Sequence, residues 1–274
     1  MSSPNRIAIL GAGSLGTSIA EGLVDAGQIG PGDLALTRRR AELLEPYRAL
    51  GYGIGDDNVQ AVVSSNMVIA AVEPQQLDDL LDEIAPSLDP RRHVLVSVVT
   101  GATIAQIEAR VGGKIPVIRA MPNTAIAVRE SMTCLAGNEL AEAALSKAEE
   151  VFDTVGQTLR IPEEDMTAAT ALGACGVAFF LRAIRAASQG GIEIGFHSAD
   201  AFAIAAQTAR GAASLLLTEG KHPEQEIDKV TTPRGCTIAG LNQMEHEGFS
   251  SAMIKGITVS ARKAAGLYPD DNES

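Results

Sequence analysis

Gly11-Ala12-Gly13-Ser14-Leu15-Gly16 stands directly behind the apolar run Ile7–Leu10 and opens a helical pattern. In that context a G-x-G-x-x-G spacing has a chemical meaning. The glycines permit a tight turn, and backbone N–H groups can then close on a pyrophosphate at a helix N-terminus. The bland alternative is a glycine-rich turn without a ligand, which the strand-to-helix placement disfavours. A dinucleotide is therefore expected, and the next strand end should choose which one. An NAD site usually places Asp or Glu roughly 20 residues past the motif to hold the ribose 2′-hydroxyl. This chain has Thr37-Arg38-Arg39-Arg40 instead. Guanidinium groups bind a 2′-phosphate through charge-assisted, often bidentate contacts. Three solvated arginines at a helix start would sit unfavourably against its dipole. NADPH is expected, and NADH less so.

Elements that could position such a site are legible along residues 1–162. Short β-branched runs (Ile7–Leu10, Leu34–Thr37, Met67–Val72, Val94–Val99, Val117–Ala120, Met132–Leu135) alternate with helical segments such as Leu15–Asp25, Gln76–Ala85 and Thr103–Val111. That alternation predicts crossover units and a mainly parallel sheet, an α/β Rossmann domain. After Pro162 the β-branched runs vanish, and residues 163–274 turn to Ala, Gly, Leu and Gln, a helix-favouring composition. Ala199–Leu217 is apolar on almost every face, so other helices should enclose it. With only about a hundred residues in this half, a second subunit is the expected source, giving a homodimer or higher homo-oligomer. Burial within the monomer is the alternative. The last residues, Pro269–Ser274, read as a solvated tail.

Composition closes off other classes. The 274 residues are 46% hydrophobic and 20% charged, a globular balance. A net charge of −12 argues against nucleic acid or an anionic membrane as partner, since both need a basic face. Aromatics at 3%, with no Trp, argue against a base-stacking platform. Cys134, Cys175 and Cys236 lie far apart, which indicates no disulfide framework, no metal site and a reducing compartment. Met1–Arg6 lacks signal-peptide features, and the uncharged stretch Met166–Leu181 is shorter than the roughly 20 residues of a membrane span. A cytoplasmic protein is expected. His93, His197, His222 and His246 are scattered and read as surface or structural residues.

Further segments resemble the pyrroline-5-carboxylate reductase family, in order along nearly the whole chain. Asp57-Asn58 precedes Val68-Ile-Ala-Ala-Val-Glu-Pro-Gln75, like the family's D-N and A-V-K-P-Q. Arg119-Ala-Met-Pro-Asn-Thr124 is similar to R-x-M-P-N-T. Gln207-Thr208 and His222-Pro223 follow. Val230-Thr-Thr-Pro-Arg-Gly-Cys-Thr-Ile-Ala-Gly-Leu241 resembles V-T-S-P-G-G-T-T-I-A-G-L, the most specific signature. The resemblance implies a Rossmann domain followed by an all-helical dimerisation domain, and reduction of a cyclic imino acid to proline. Carried over by position, Gly11, Ala12, Gly13, Ser14, Leu15, Gly16, Asn58, Ala71, Val72, Glu73, Pro74, Met121 and Asn123 would contact the cofactor, beside Arg38 and Arg39. Gly235, Cys236 and Thr237 would receive the substrate carboxylate on their N–H groups, with Arg234 next to them. The Thr237 hydroxyl would face the ring nitrogen as the catalytic group; capping the helix is its bland alternative, and the two roles are compatible.

Departures from the pattern cluster where chemistry would occur. Glu73 replaces a Lys, Leu172-Gly-Ala-Cys-Gly-Val-Ala-Phe179 replaces L-S-G-S-G-P-A-Y, Arg234 replaces a Gly, and Cys236 a small residue or Thr. If position 234 needs positive φ, Arg adds local strain. It could also hold a second anionic group. Two further readings follow: a reductase of another cyclic imine, six-membered or more anionic, or an NADPH-binding protein without turnover.

Overall fold

The computed structural model describes residues 6–27 and 29–267; the expected tail and Met1–Asn5, on which the signal-peptide expectation rests in part, lie outside them. The first part of the chain runs β1 (Ile7–Leu10), α1 (Ser14–Asp25), β2 (Leu34–Thr37), α2 (Glu45–Ala49), β3 (Gly53–Gly55), α3 (Asn58–Val63) and β4 (Met67–Ala70). It continues through α4 (Leu77–Ile84), β5 (Val94–Ser97), α5 (Ile104–Val111), β6 (Val117–Met121), β7 (Ser131–Gly137), α6 (Glu142–Asp153) and β8 (Gly156–Arg160).

These strands form one sheet in the order β3-β2-β1-β4-β5-β6-β7-β8. Every pairing is parallel except β6 with β7. In register, Ile7 lies opposite Leu34 on one side and Met67 on the other. Successive side chains must point to opposite faces, and both faces are apolar. Ile7, Ile9, Leu34, Leu36, Ile69 and Val96 bury against α1 and α6, where Phe152 is completely enclosed. Ala8, Leu10, Val68, Ala70, Leu95 and Val117 bury against α3, α4 and α5. A sheet apolar on both faces needs helices on both, which is the doubly wound arrangement. The expected Rossmann architecture is present.

The two edge strands were not legible. β3 is Gly-Ile-Gly, too short and glycine-rich to show a β pattern, and β8 is the polar Gly-Gln-Thr-Leu-Arg. The expected strands ending at Val72 and Val99 stop at Ala70 and Ser97. There the ladder ends and the chain turns toward the glycine-rich loop, with the Ala71 N–H donating to the Leu10 carbonyl at 2.7 Å.

Beyond β8 come α7 (Met166–Ala169), a π-helical turn at Thr170–Ala174, α8 (Gly176–Glu193), α9 (Ser198–Glu219), α10 (Pro223–Val230), α11 (Cys236–His246) and α12 (Phe249–Ala265). All are helical, as the composition implied. The described residues fall into two compact units: one runs through Cys175 and takes back the chain from Ser260, and the other is Gly176–Val259. In the second unit Gly191 of α8 lies against Ala201 of α9. Most of α9 is exposed among the described residues, with Leu217 at 73% and Phe202 at 61%. An apolar stripe that the monomer leaves bare is what a partner subunit would bury. Helical structure across Glu163–Glu193 is also long and apolar enough to cross a membrane by length and composition alone. It exceeds the uncharged stretch Met166–Leu181 because the helix continues through Arg182 and Arg185.

Candidate functional site

At the C-terminal ends of β1, β2 and β4 lies a cavity of about 610 Å³. Its floor is the turn joining β1 to α1. Gly11 has φ +86°, and a Cβ there would stand 2.5 Å from Val72 Cγ1 and 2.8 Å from the Ala71 carbonyl oxygen, so only glycine fits. The Gly11 and Ala12 N–H groups donate to the Thr37 carbonyl at 3.1 and 2.8 Å, tying the loop to β2. α1 then starts without a side-chain cap on Gly13. Its first N–H groups, on Ser14, Leu15 and Gly16, are the ones a helix leaves unpaired, at its positive end. A pyrophosphate fits that place.

The end of β2 supplies the positive charge. Arg38, Arg39 and Arg40 all line the cavity, and none makes an ion pair among the described residues. Asn58 is held rather than loose. Its Oδ1 accepts from the Thr37 hydroxyl at 2.6 Å and its Nδ2 donates to Glu83 at 2.9 Å, while Asp57 caps α3 by accepting from the Gln60 N–H. Ala71, Val72 and Glu73 form the opposite wall. Glu73 is exposed and immediately precedes the short 3₁₀ turn that starts at Pro74. Thr37, Asp56 and Gln76 also line the cavity. Thr37 and Asp56 carry no sequence signal beyond their place at a strand end, and Gln76, at the end of the 3₁₀ turn Pro74–Gln76, carries none.

Met121 and Asn123 do not line this cavity. Met121 is buried in a small cluster with Cys134, Ala136 and Met166. Asn123 Oδ1 caps the following turn through the Ala125 N–H at 3.0 Å, and its Nδ2 donates to the Gly173 carbonyl at 3.4 Å. The same strand is anchored by Arg119, which is buried and donates to Glu163 at 3.0 Å. That Glu163 oxygen also accepts from the Ile104 N–H at 2.6 Å. Burial pushes the Cys134 thiol pKa up, so this cysteine is packing rather than a nucleophile.

In the helical unit Arg234 has φ +62°, the left-handed backbone expected if the position needs glycine. The Gly235 N–H donates to the Thr232 carbonyl at 2.9 Å, and a Cβ on Gly235 would meet Thr232 Oγ1 at 2.6 Å. α11 begins at Cys236 with no side-chain cap. Cys236 is exposed and Thr237 half-buried at that open end, where N–H groups can receive a carboxylate. The N-cap position is Gly235, and Thr237 is the second residue of α11. Among the described residues no cluster of His, Cys, Asp or Glu could hold a metal.

A doubly wound sheet with a phosphate-accepting turn and three arginines at the second strand defines a Rossmann-type dinucleotide-binding protein. Residues 163–267 match the family described as pyrroline-5-carboxylate reductase dimerisation, and residues 6–101 match NADP oxidoreductase, coenzyme F420-dependent. The chain is 51% identical to pyrroline-5-carboxylate reductase 1 of Dictyostelium discoideum, over 98% of this chain and 51% of that one, so it spans about half of that relative's length. It is 47% identical to pyrroline-5-carboxylate reductase 2 of the same organism, over 95% of this chain and 92% of the other. The solved pyrroline-5-carboxylate reductase of Coxiella burnetii superposes with a TM-score of 0.89 at 26% identity, covering 98% of this chain and all of that one. The chain belongs to the pyrroline-5-carboxylate reductase family.

Proposed function

We propose that the chain reduces 1-pyrroline-5-carboxylate to L-proline with NADPH, as a soluble cytoplasmic homodimer whose residues 1–162 bind the cofactor and whose residues 163–274 bind substrate and the partner. The observation that carries this reading is the open helix start at Ser14 beside the arginines at the end of β2; the helical unit, taken by itself, offers a second open helix start at Cys236. The three free thiols suit a reducing compartment.

Each group then has a task. The Ser14–Gly16 amides hold the pyrophosphate, and Arg38 and Arg39 hold the 2′-phosphate. Main chain at Ala71–Pro74 and at the Met121–Asn123 turn borders the nicotinamide, with Asn58 fixed beside it by Thr37. When bound, the reduced nicotinamide supplies the hydride. N–H groups of Gly235, Cys236 and Thr237 orient the imino acid through its carboxylate, and Arg234 stands beside them. The Thr237 hydroxyl meets the ring nitrogen as it becomes an amine. Rate enhancement comes from holding the C=N carbon in position and polarising it.

Thr237→Val keeps the β-branched shape and removes the hydroxyl. Loss of one oriented donor costs roughly 10²–10³ in turnover, and NADPH affinity should stay the same. NADPH oxidation measured over a panel of five- and six-membered cyclic imino acids tests the substrate together with this residue. Full turnover by Thr237→Val on every accepted imine would remove the hydroxyl from the mechanism. The exposed Arg234 and Glu73 favour a second reading, a more anionic or six-membered imine, and preferred turnover of such a compound would select it. NADPH binding with no turnover of any imine would instead mark a protein that has lost the reaction.

A further inference from the structure

The opposite end of the sheet carries a second cavity, of about 240 Å³, that the reduction does not use. It opens where three neighbouring parallel strands begin. Arg6 and Asn66 directly precede β1 and β4, Arg91 and Arg92 come just ahead of β5, and Lys147 reaches it from α6. Ile7, Met67, Val94 and Val151 form an apolar wall behind these polar groups.

Four cations and no carboxylate line this one space in a chain whose net charge is −12. Their charge is incompletely matched nearby. Arg6 approaches Asp33 only to 3.9 Å, and Arg91 meets Asp89 at 3.4 Å. Arg92 and Lys147 have no acidic partner among the described residues. The Asn66 backbone is spent on the sheet, its N–H donating to the Arg6 carbonyl and its carbonyl accepting from Val94. Its side-chain amide makes no hydrogen bond among the described residues and stays available to a ligand. Clustering like charges without compensation costs stability, and a multiply charged anion removes that cost while using the guanidinium forks.

We propose that this cavity binds a compact phosphate polyanion, a diphosphate group either free or carried by a nucleotide. Strands of four residues separate it from the cofactor cavity by roughly the length of β1, about 13 Å at 3.3 Å per residue. Both sites can therefore be filled at once. A diphosphate fits the cations and Asn66, and the apolar wall has room for part of a sugar or base.

The test is calorimetric titration of the 274-residue protein, carrying one equivalent of NADPH to fill the first site without an excess that would compete at the second, with inorganic pyrophosphate and separately with ADP. The expected result is one further site per chain. Arg92→Ala combined with Lys147→Ala should weaken it roughly tenfold or more. Both positions are exposed and far from the reduction, so NADPH affinity and turnover should not change. Pyrophosphate binding as tightly as ADP means that the diphosphate alone is read; tighter ADP binding means that the nucleoside reaches the apolar wall. Either result supports the site. No binding of either compound at millimolar concentration, or binding that the double variant leaves intact, overturns it.

Discussion

Arg234 offers a measurement in which backbone strain separates from side-chain function. Its φ of +62° lies in the left-handed region, where an L-residue pays roughly 1–2 kcal/mol against glycine. The side chain is exposed and forms no ion pair among the described residues, so nothing local offsets that strain. Arg234→Gly relieves it but loosens the unfolded chain, which takes back about 0.4–1 kcal/mol. The expected net gain is about 0.5–1 kcal/mol, or a melting shift of roughly 1–4 °C for a chain of this size. Arg234→Ala supplies the control, since it also removes the guanidinium yet keeps the strained φ. Urea unfolding followed by helical circular dichroism should rank Gly above both Ala and Arg. If Gly and Ala have equal midpoints, the strain argument fails. Turnover of the same pair reports the other role: when Arg234 holds a second substrate anion, both variants lose activity equally, and when it does not, both keep it.

Replacing Arg38 and Arg39 together by Ala should weaken NADPH by roughly tenfold or more and leave NADH nearly unchanged; equal losses for both cofactors in fluorescence titration would refute their role on the 2′-phosphate. Gly11→Ala should abolish NADPH binding, because the new Cβ meets Val72 and the Ala71 carbonyl at 2.5 and 2.8 Å; ordinary affinity in the same titration would contradict the close approach. Burial, and next the Arg92 charge, hold the His93 pKa below its usual 6.5. The unfolded chain therefore takes up the proton first, and stability should be level above pH 6.5 and fall as pH drops below it. His93→Gln should flatten the urea-midpoint profile between pH 6.5 and 5, and an unchanged slope would exclude this histidine as the cause.

How much was legible depended on whether neighbouring residues carried the signal. Ile7–Leu10 followed by Gly11-x-Gly13-x-x-Gly16 specified strand, turn and helix within ten residues, and the structure has all three. The arginines after Thr37 were equally local. Asn58 was found only through a resemblance, because its meaning comes from Thr37 and Glu83, 21 and 25 residues away. Glu163 was missed for the same reason: its partners Arg119 and Ile104 lie on other elements. β3 and β8 were invisible because an edge strand paired on one side can be short or polar.

The departures from the family pattern all lie outside the fully buried core. Gly11 sits against the Ala71 carbonyl, and any added atom there would displace the backbone. Such positions retain the pattern. Glu73, Arg234 and Cys236 are exposed, and Gly173, Ala174, Cys175, Val177 and Phe179 are half-buried, so changing them costs the fold less than a change in the buried core would. Residues 170–174 add a backbone element to this pattern. They form a π-helical turn, closed by the Cys175 N–H on the Thr170 carbonyl, and the Gly173 carbonyl accepts from Asn123. An extra residue in a helical turn rotates whatever follows, and such turns are frequent at functional sites. The divergent segment 172–179 therefore begins within a bend in the backbone. The turn thus sets the direction in which the replaced side chains of that segment leave the helix.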